Sequence, residues 1–233
     1  MKLDILVFGA HPDDVELGCG GTVIKEVQSG KKVAIIDLTR GELGTRGTVE
    51  TRNLESNKAT EIMGVLFREN MDFKDGFFQE DQNSKIALIK KIREYQPDIV
   101  ITNALSDRHP DHPRGSRITI DACFLAGLEK IETGQEVWRP RAIYHYIQFN
   151  TLNPDIIVDI SSQMNLKIEA VKAYSTQFYN PFSKESDTII SSKDFLESIE
   201  YRAKDLGRQS NCKYAEGFIS HQLPKIDSLL DIK

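Results

Sequence analysis

Near the start of the chain, residues 3–8 and 32–38 form two short apolar runs, each leading into a polar stretch that contains glycine. Runs this short, bounded by turn residues, read as strands buried on both faces. Between them, residues 22–27 place apolar side chains at helical spacing, and Gly30 follows as a stop signal. This is a β-α-β unit, and parallel strands joined in this way require helices to cover their sheet. Residues 39–51 hold Gly41, Gly44 and Gly47 and are expected as a loop. Helices are expected at 51–63, ended by Gly64, and at 84–95, where Ile86, Ile89, Ile92 and Tyr95 recur at three-residue steps before Pro97. A third buried strand is expected at 97–102, a polar stretch at 103–114 and a helix at 116–128. Strands at 142–147 and 156–160 and helices at 163–174 and 193–206 complete the pattern, with a long polar surface loop at 180–192 that reads as a mobile connection or as a lid. The expected fold is α/β: a single domain over residues 1–233, with a Rossmann-like, mostly parallel sheet and helices on both faces.

Composition narrows the function classes. Lys and Arg total 30 against 35 Asp and Glu, a formal net charge of −5 with no long run of either sign, so wholesale binding to nucleic acid or to an anionic membrane is not expected. No apolar run approaches the roughly 18 residues of a membrane span, and Met1 to Ile5 lacks the basic-then-apolar pattern of a secretory signal. A cytoplasmic location is therefore expected. Cys19, Cys123 and Cys212 are far apart and form no CxxC pair, which suggests reduced thiols rather than a disulfide framework or a thiolate zinc site.

Three of the five histidines fall in two related tetrapeptides, His11-Pro12-Asp13-Asp14 and His109-Pro110-Asp111-His112. Each follows an expected strand, and in an open parallel sheet the loops beyond the carboxyl ends of the strands gather on one edge, where ligands bind. Imidazole nitrogen and carboxylate oxygen suit Zn²⁺, and a hydrolytic zinc centre commonly takes three protein ligands and leaves a position for water. His11, Asp14 and His112 would supply that set. Either tetrapeptide alone also reads as a turn in which proline sets the backbone and aspartate caps a helix. The adjacent carboxylates of Asp13 and Asp14 would repel each other unless a cation or a helix N-terminus compensates. A dinucleotide site is disfavoured: Gly9, Gly18, Gly20 and Gly21 are in the wrong order for G-x-G-x-x-G, and Asp13, Asp14 and Glu16 would stand where phosphate should lie. The glycines instead suit a tight exit from the loop and close packing of the helix on the sheet.

Ala10-His11-Pro12-Asp13-Asp14-Val15-Glu16-Leu17-Gly18-Cys19-Gly20-Gly21-Thr22 resembles the signature of the LmbE-like (PIG-L type) N-acetylglucosaminyl deacetylases. Asp107-Arg108-His109-Pro110-Asp111-His112 resembles their second metal motif, and the likeness extends through residues 39–44 to Tyr214-Ala215-Glu216-Gly217-Phe218. Within the family the chain is most similar to the bacillithiol-biosynthesis branch, which deacetylates N-acetylglucosaminyl malate. The resemblance implies the same ligands, His11, Asp14 and His112, and a Zn²⁺ cofactor, although such donors also accept Fe²⁺, Co²⁺ and Mn²⁺. It implies Asp13 as general base toward a metal-bound water, with no serine or cysteine nucleophile. A protonated His109 would stabilise the oxyanion, and Asp111 would orient or charge its imidazole, unless Asp111 merely forms the turn.

By the same likeness Arg52 is expected at the substrate, where a guanidinium would pair with a carboxylate or sugar hydroxyls; otherwise it is a solvated helix residue. Glu42 and Asp75 are expected to accept from sugar hydroxyls, and Arg108 to meet the malate carboxylates, although Asp75-Gly76 is also a good turn. Glu16 is read as holding a ligand from behind or charging a helix start. His145 is expected in the core, His221 at the surface and Trp138 as an anchor for the strand after it. The expected partner is a small GlcNAc conjugate, and the resemblance implies a homo-oligomer, with a hexamer expected. Other readings are a deacetylase for a different GlcNAc compound, a non-catalytic metal or nucleotide binder on the same scaffold, and an HD-type phosphohydrolase, which would carry its histidines on helices of an all-α domain.

Overall fold

β1 (Ile5–Gly9) sends Ile5 and Val7 to one side and Leu6 and Phe8 to the other, and all four are buried. An apolar strand without polar alternation demands a covering layer on each face. In the computed structural model, which describes residues 1–228 and 230, the strand lies inside a seven-stranded sheet. Its other strands are β2 (Val33–Thr39), β3 (Arg68–Phe73), β4 (Ile99–Thr102), β5 (Ala142–Tyr146), β6 (Ile156–Asp159) and β7 (Ala215–Ser220), in the order β3-β2-β1-β4-β5-β7-β6. β7 runs antiparallel to both of its neighbours; every other pair is parallel.

On the Leu6 and Phe8 face lie α3 (Gln82–Tyr95) and α4 (Asp111–Leu125), which contribute Leu88, Ile92, Ile118 and Ala122 to one core. On the Ile5 and Val7 face, α1 (Asp14–Gln28), α2 (Val49–Met63) and α5 (Met164–Lys172) bring Val15, Val23, Met63 and Ala170. α6 (Lys193–Arg208) packs Ile199 and Ala203 beside Leu17, Tyr174 and Tyr214. The described residues thus form one α/β domain with a mostly parallel sheet between helical layers, as expected. The chain leaves β1 for β2 on one side, and β4 lies on the other, so the loops after β1 and β4 diverge over a crevice at the carboxyl ends of the strands.

Two strands escape the sequence pattern. β3 is an edge strand whose residues Arg68, Glu69 and Asn70 are polar, and it is held by parallel pairing to β2 and by Arg68 on Asp37 (2.7 and 2.8 Å). β7 contains Gly217, where a Cβ would stand 3.0 Å from Pro154, so close packing rather than an apolar run marks it.

α2 and α3 start two residues earlier than expected; α1 and α4 start five or more earlier, and both of those starts matter to the site. α4 begins at Asp111, not residue 116, because Pro113 falls in the first turn, where a missing N–H costs nothing. α1 begins at Asp14, not residue 22, and breaks at Cys19 (φ −144°, ψ 20°). The backbone groups freed by that break are satisfied from a distance. The Glu216 carboxylate accepts from the N–H groups of Gly21 (2.9 Å) and Thr22 (2.7 Å), and Lys167 Nζ donates to the Leu17 carbonyl (2.9 Å).

The expected close helix–sheet packing occurs at Gly18, where a Cβ would lie 2.1 Å from the buried Tyr146 ring. Gly18→Ala must displace that ring and is expected to cost about 1–3 kcal/mol. A urea midpoint equal to that of the parent protein would show that the ring yields freely.

Candidate metal centre and its cleft

The loop after β1 and the start of α4 bring His11, Asp14 and His112 together. Asp14 is the shared partner: Oδ1 lies 3.2 Å from His112 Nε2, and Oδ2 lies 3.5 Å from His11 Nδ1. The same carboxylate accepts from His11 N–H (2.9 Å), Asn103 Nδ2 (3.1 Å) and Gln148 Nε2 (2.7 Å). It heads α1, where the helix dipole favours negative charge. Burial alone would raise Asp14, but His112 and His11 hold it well below the usual carboxylate range.

Each imidazole has a second carboxylate behind it. His11 Nε2 lies 3.0 Å from Asp75 and 3.3 Å from Asp111, and His112 Nδ1 lies 3.5 Å from Asp107. Burial opposes charge on both rings, yet these carboxylates raise His11 well above its ordinary value and His112 to about 9. A divalent cation would replace the two protons, because a ligating imidazole must be neutral. The donors fit such an ion: two imidazoles and a carboxylate face one another, and carboxylates stand behind the far ring nitrogens. Buried His112 Nδ1 faces Asp107 at 3.5 Å, which leaves Nε2 turned toward Asp14 and the candidate ion. Two triads among the described residues have ligand atoms within 4.8 Å of one another: His11, His109 and His112, and His11, Asp75 and Asp111.

Asp13 stands beside the set in an unusual conformation. Its φ is 113°, in the region that favours glycine, and its side chain makes no capping bond to α1. Such a backbone costs about 1–3 kcal/mol and is found where function holds it. Its Oδ2 accepts from Arg52 Nη2 (2.8 Å), and burial raises the carboxyl to about 7 despite the opposing guanidinium. His109 is half-buried, and its ring centroid lies 4.6 Å from that of His11. Its Nδ1 accepts the Asp111 backbone N–H (3.2 Å), so the ring proton belongs on Nε2. Burial and the charged His11 and His112 push its pKa down to about 4, which disfavours the protonated ring expected from sequence.

Several expected contacts have other partners. The Asp111 carboxylate is turned to His11, the Gly76 N–H (2.7 Å) and Arg114, not to the His109 ring. Arg52 lines the cleft but is buried and committed to Asp13, the Pro12 carbonyl (2.6 Å) and the Gly41 carbonyl (3.3 Å). Asp75 backs His11 and accepts the Leu43 N–H (3.0 Å), and Glu42 accepts the Asp75 N–H (2.8 Å) without lining the cleft. These carboxylates lie beside backbone amides and a charged ring, which bind them more strongly than a hydroxyl would. Arg108 is exposed on the cleft wall, 4.8 Å from the Phe149 ring centroid. Glu16 lies away from the ligands and accepts from Arg68 and from Tyr174 Oη (3.0 Å). His145 is buried on Ser116 (2.9 Å), and His221 is exposed.

Sequence reasoning missed Asn103 and Gln148, although Asn103 directly follows β4 and Gln148 lies two residues beyond β5, the one available signal. Of residues 180–192, read as a surface connection or a lid, Asp187 to Ile190 line the cleft.

The profile of the GlcNAc-PI de-N-acetylase family, PIG-L, matches residues 6–123, which include both histidine tetrapeptides. The chain is 30% identical over 225 residues to the diacetylchitobiose deacetylase of Thermococcus kodakarensis, covering 91% of this chain and 81% of that protein. It is 25% identical over 193 residues to a probable N-acetyl-alpha-D-glucosaminyl L-malate deacetylase 2 of Bacillus anthracis, covering 75% and 81%. In structure it is similar to the conserved protein TT1542 of Thermus thermophilus, with a TM-score of 0.88 and 34% identity over 97% of this chain and 98% of that one.

Proposed function

Because the chain belongs to the PIG-L (GlcNAc-PI de-N-acetylase) family, we propose that it is a metal-dependent hydrolase that removes the acetyl group from an N-acetylglucosamine conjugate, with N-acetylglucosaminyl malate as its substrate. The observation that carries this reading is Asp13, a buried carboxylate with a pKa near 7 on a strained backbone beside His11 and Asp14. A metal that served structure alone would need no such neighbour. When bound by His11, Asp14 and His112, Zn²⁺ supplies Lewis acidity, acidifying a water and polarising the amide carbonyl; Fe²⁺, Co²⁺ and Mn²⁺ suit the same donors.

The protein's own groups then handle the protons. Asp13 accepts one from the attacking water and returns it to the amine nitrogen as the C–N bond breaks, releasing acetate and the free amine. Arg52 holds Asp13 Oδ2 and so sets the direction in which the carboxylate accepts. His109 donates from Nε2–H to the amide oxygen as its charge grows. Asp75 and Asp111 are positioning residues that orient the His11 ring through Nε2, and Asp107 does the same for His112.

The test is release of free amine from N-acetylglucosaminyl malate and from N,N'-diacetylchitobiose, before chelation, after it, and after Zn²⁺ is restored. Turnover that vanishes and returns is expected. Metal demonstrably bound with no amine from either compound would sink the deacetylase reading. The 30% identity to a diacetylchitobiose deacetylase favours that disaccharide as the second candidate.

A further inference from the structure

The cleft over the candidate centre has a volume of about 800 Å³, and α6 forms one of its walls. Phe195 of α6 stacks on Phe149, with ring centroids 6.1 Å apart and planes at 19°, and Arg108 lies against the same Phe149. Seven residues after Phe195, two turns along the same helix face, Arg202 reaches the cleft. Its Nη2 donates to the Leu17 carbonyl (3.1 Å), the only hydrogen bond it makes among the described residues. Nε and Nη1 are unbonded and are not among the fully enclosed polar atoms, so both face accessible space.

Four arginines line this cleft. Arg52 is paired with Asp13, and Arg46 lies 3.6 Å from Glu185. The guanidinium groups of Arg108 and Arg202 have no carboxylate within 4.0 Å among the described residues; Asp107 Oδ1 takes only the Arg108 backbone N–H (2.6 Å). The nearby carboxylates of Asp107 and Glu216 are occupied, the first by His112 and the Phe149 N–H, the second by Lys167 and two helix amides. Asp187 also lines the cleft, but it is exposed. A guanidinium cannot shed its charge, and holding it in a partly buried wall without a counter-ion is costly unless a ligand supplies one. Burial draws the Arg202 pKa down against the opposing pull of Glu216 and Asp107, neither of which forms an ion pair with it.

We propose that Arg202, with Arg108, forms an oxyanion subsite for a charged group carried on the conjugate away from its acetamido group, so that the substrate is an anionic glycoside. Guanidinium forks take carboxylate and phosphate alike. The subsite rests on the deacetylase reading and adds to it the residue that selects the anion.

The experiment compares kcat/KM for a carboxylate-bearing substrate (N-acetylglucosaminyl malate), a phosphate-bearing one (N-acetylglucosamine 1-phosphate) and neutral N,N'-diacetylchitobiose. Arg202→Gln is expected to lower the anionic-to-neutral ratio at least tenfold, chiefly through KM, with Arg202→Lys recovering part of it. The anion whose ratio falls further is the one the subsite takes. A ratio unchanged in Arg202→Gln, even with both rates reduced, would overturn the proposal and leave Arg202 as a partner of the Leu17 carbonyl alone. Should Arg202→Gln fail to fold by circular dichroism, exposed Arg108→Gln is read in the same way.

If the parent protein turns over none of the three compounds, the deacetylase reading fails by itself. Calorimetric binding of N-acetylglucosaminyl malate and the 1-phosphate then decides the subsite. Affinity for either anion at least tenfold weaker in Arg202→Gln supports it, and a smaller change or no measurable binding to the parent protein overturns it.

Discussion

Asp13→Asn is expected to lower kcat about a thousandfold, within the range for losing a general base, while metal content and KM stay close to those of the parent protein. Asparagine has the same shape, and with aspartate it is among the residues that best tolerate a positive φ, so the 113° backbone is not the source of the loss. The neutral side chain is also tolerated, because burial already raises the Asp13 pKa to about 7 and removing its charge relieves repulsion from Asp14 and Glu16. The variant should therefore fold, bind metal and fail at proton transfer. Steady-state kinetics with metal analysis on the same sample settle it: a fall of less than tenfold would move the base elsewhere.

Asp14→Ala is expected to abolish both metal binding and turnover. The carboxylate is within reach of both imidazoles and is fastened by Asn103, Gln148 and the His11 N–H, so its loss removes one donor and the reference point for the other two. Lewis acidity worth several kcal/mol corresponds to about 10³-fold or more in rate. Elemental analysis gives the direct readout. Equimolar metal retained in Asp14→Ala would reject His11, Asp14 and His112 as the ligand set and point to one of the two triads without Asp14, His11, His109 and His112 or His11, Asp75 and Asp111.

The sign of the pH dependence follows from the same contacts. With His11 raised well above its ordinary value and His112 to about 9, metal binding near pH 7.5 should release about two protons. Affinity should rise with pH until both rings are neutral. Without Asp14 the two rings lose a partner that raises them, and the pH dependence of any residual binding should weaken.

Much of this architecture is written locally. The apolar residues of β1 and Val33 to Ile36 of β2 signal burial on both faces, and the two histidine tetrapeptides announce their chemistry by residue type and by following strands. The starts of α1 and α4 were obscured by their own chemistry: three glycines and a break at Cys19 hide the first, and Pro113 hides the second. β3 carries little apolar signal because its stability comes from pairing and from Arg68 on Asp37, 31 residues away.

The sequence by itself determined most of the alternation of strands and helices, though not β3 or β7, the sheet edge on which the candidate ligands gather, and the types of donor available there. Only the tertiary structure decided which group holds which. Asp75 reaches His11 across 64 residues, Asp111 reaches it across 100, Arg52 reaches Asp13 across 39, and Gln148 reaches Asp14 across 134. Strand and helix patterns are periodic over a few residues and can be read from neighbours. Partnership between loops depends on strand order and on the path of each loop over the sheet edge, and it therefore appears only when the whole chain is folded.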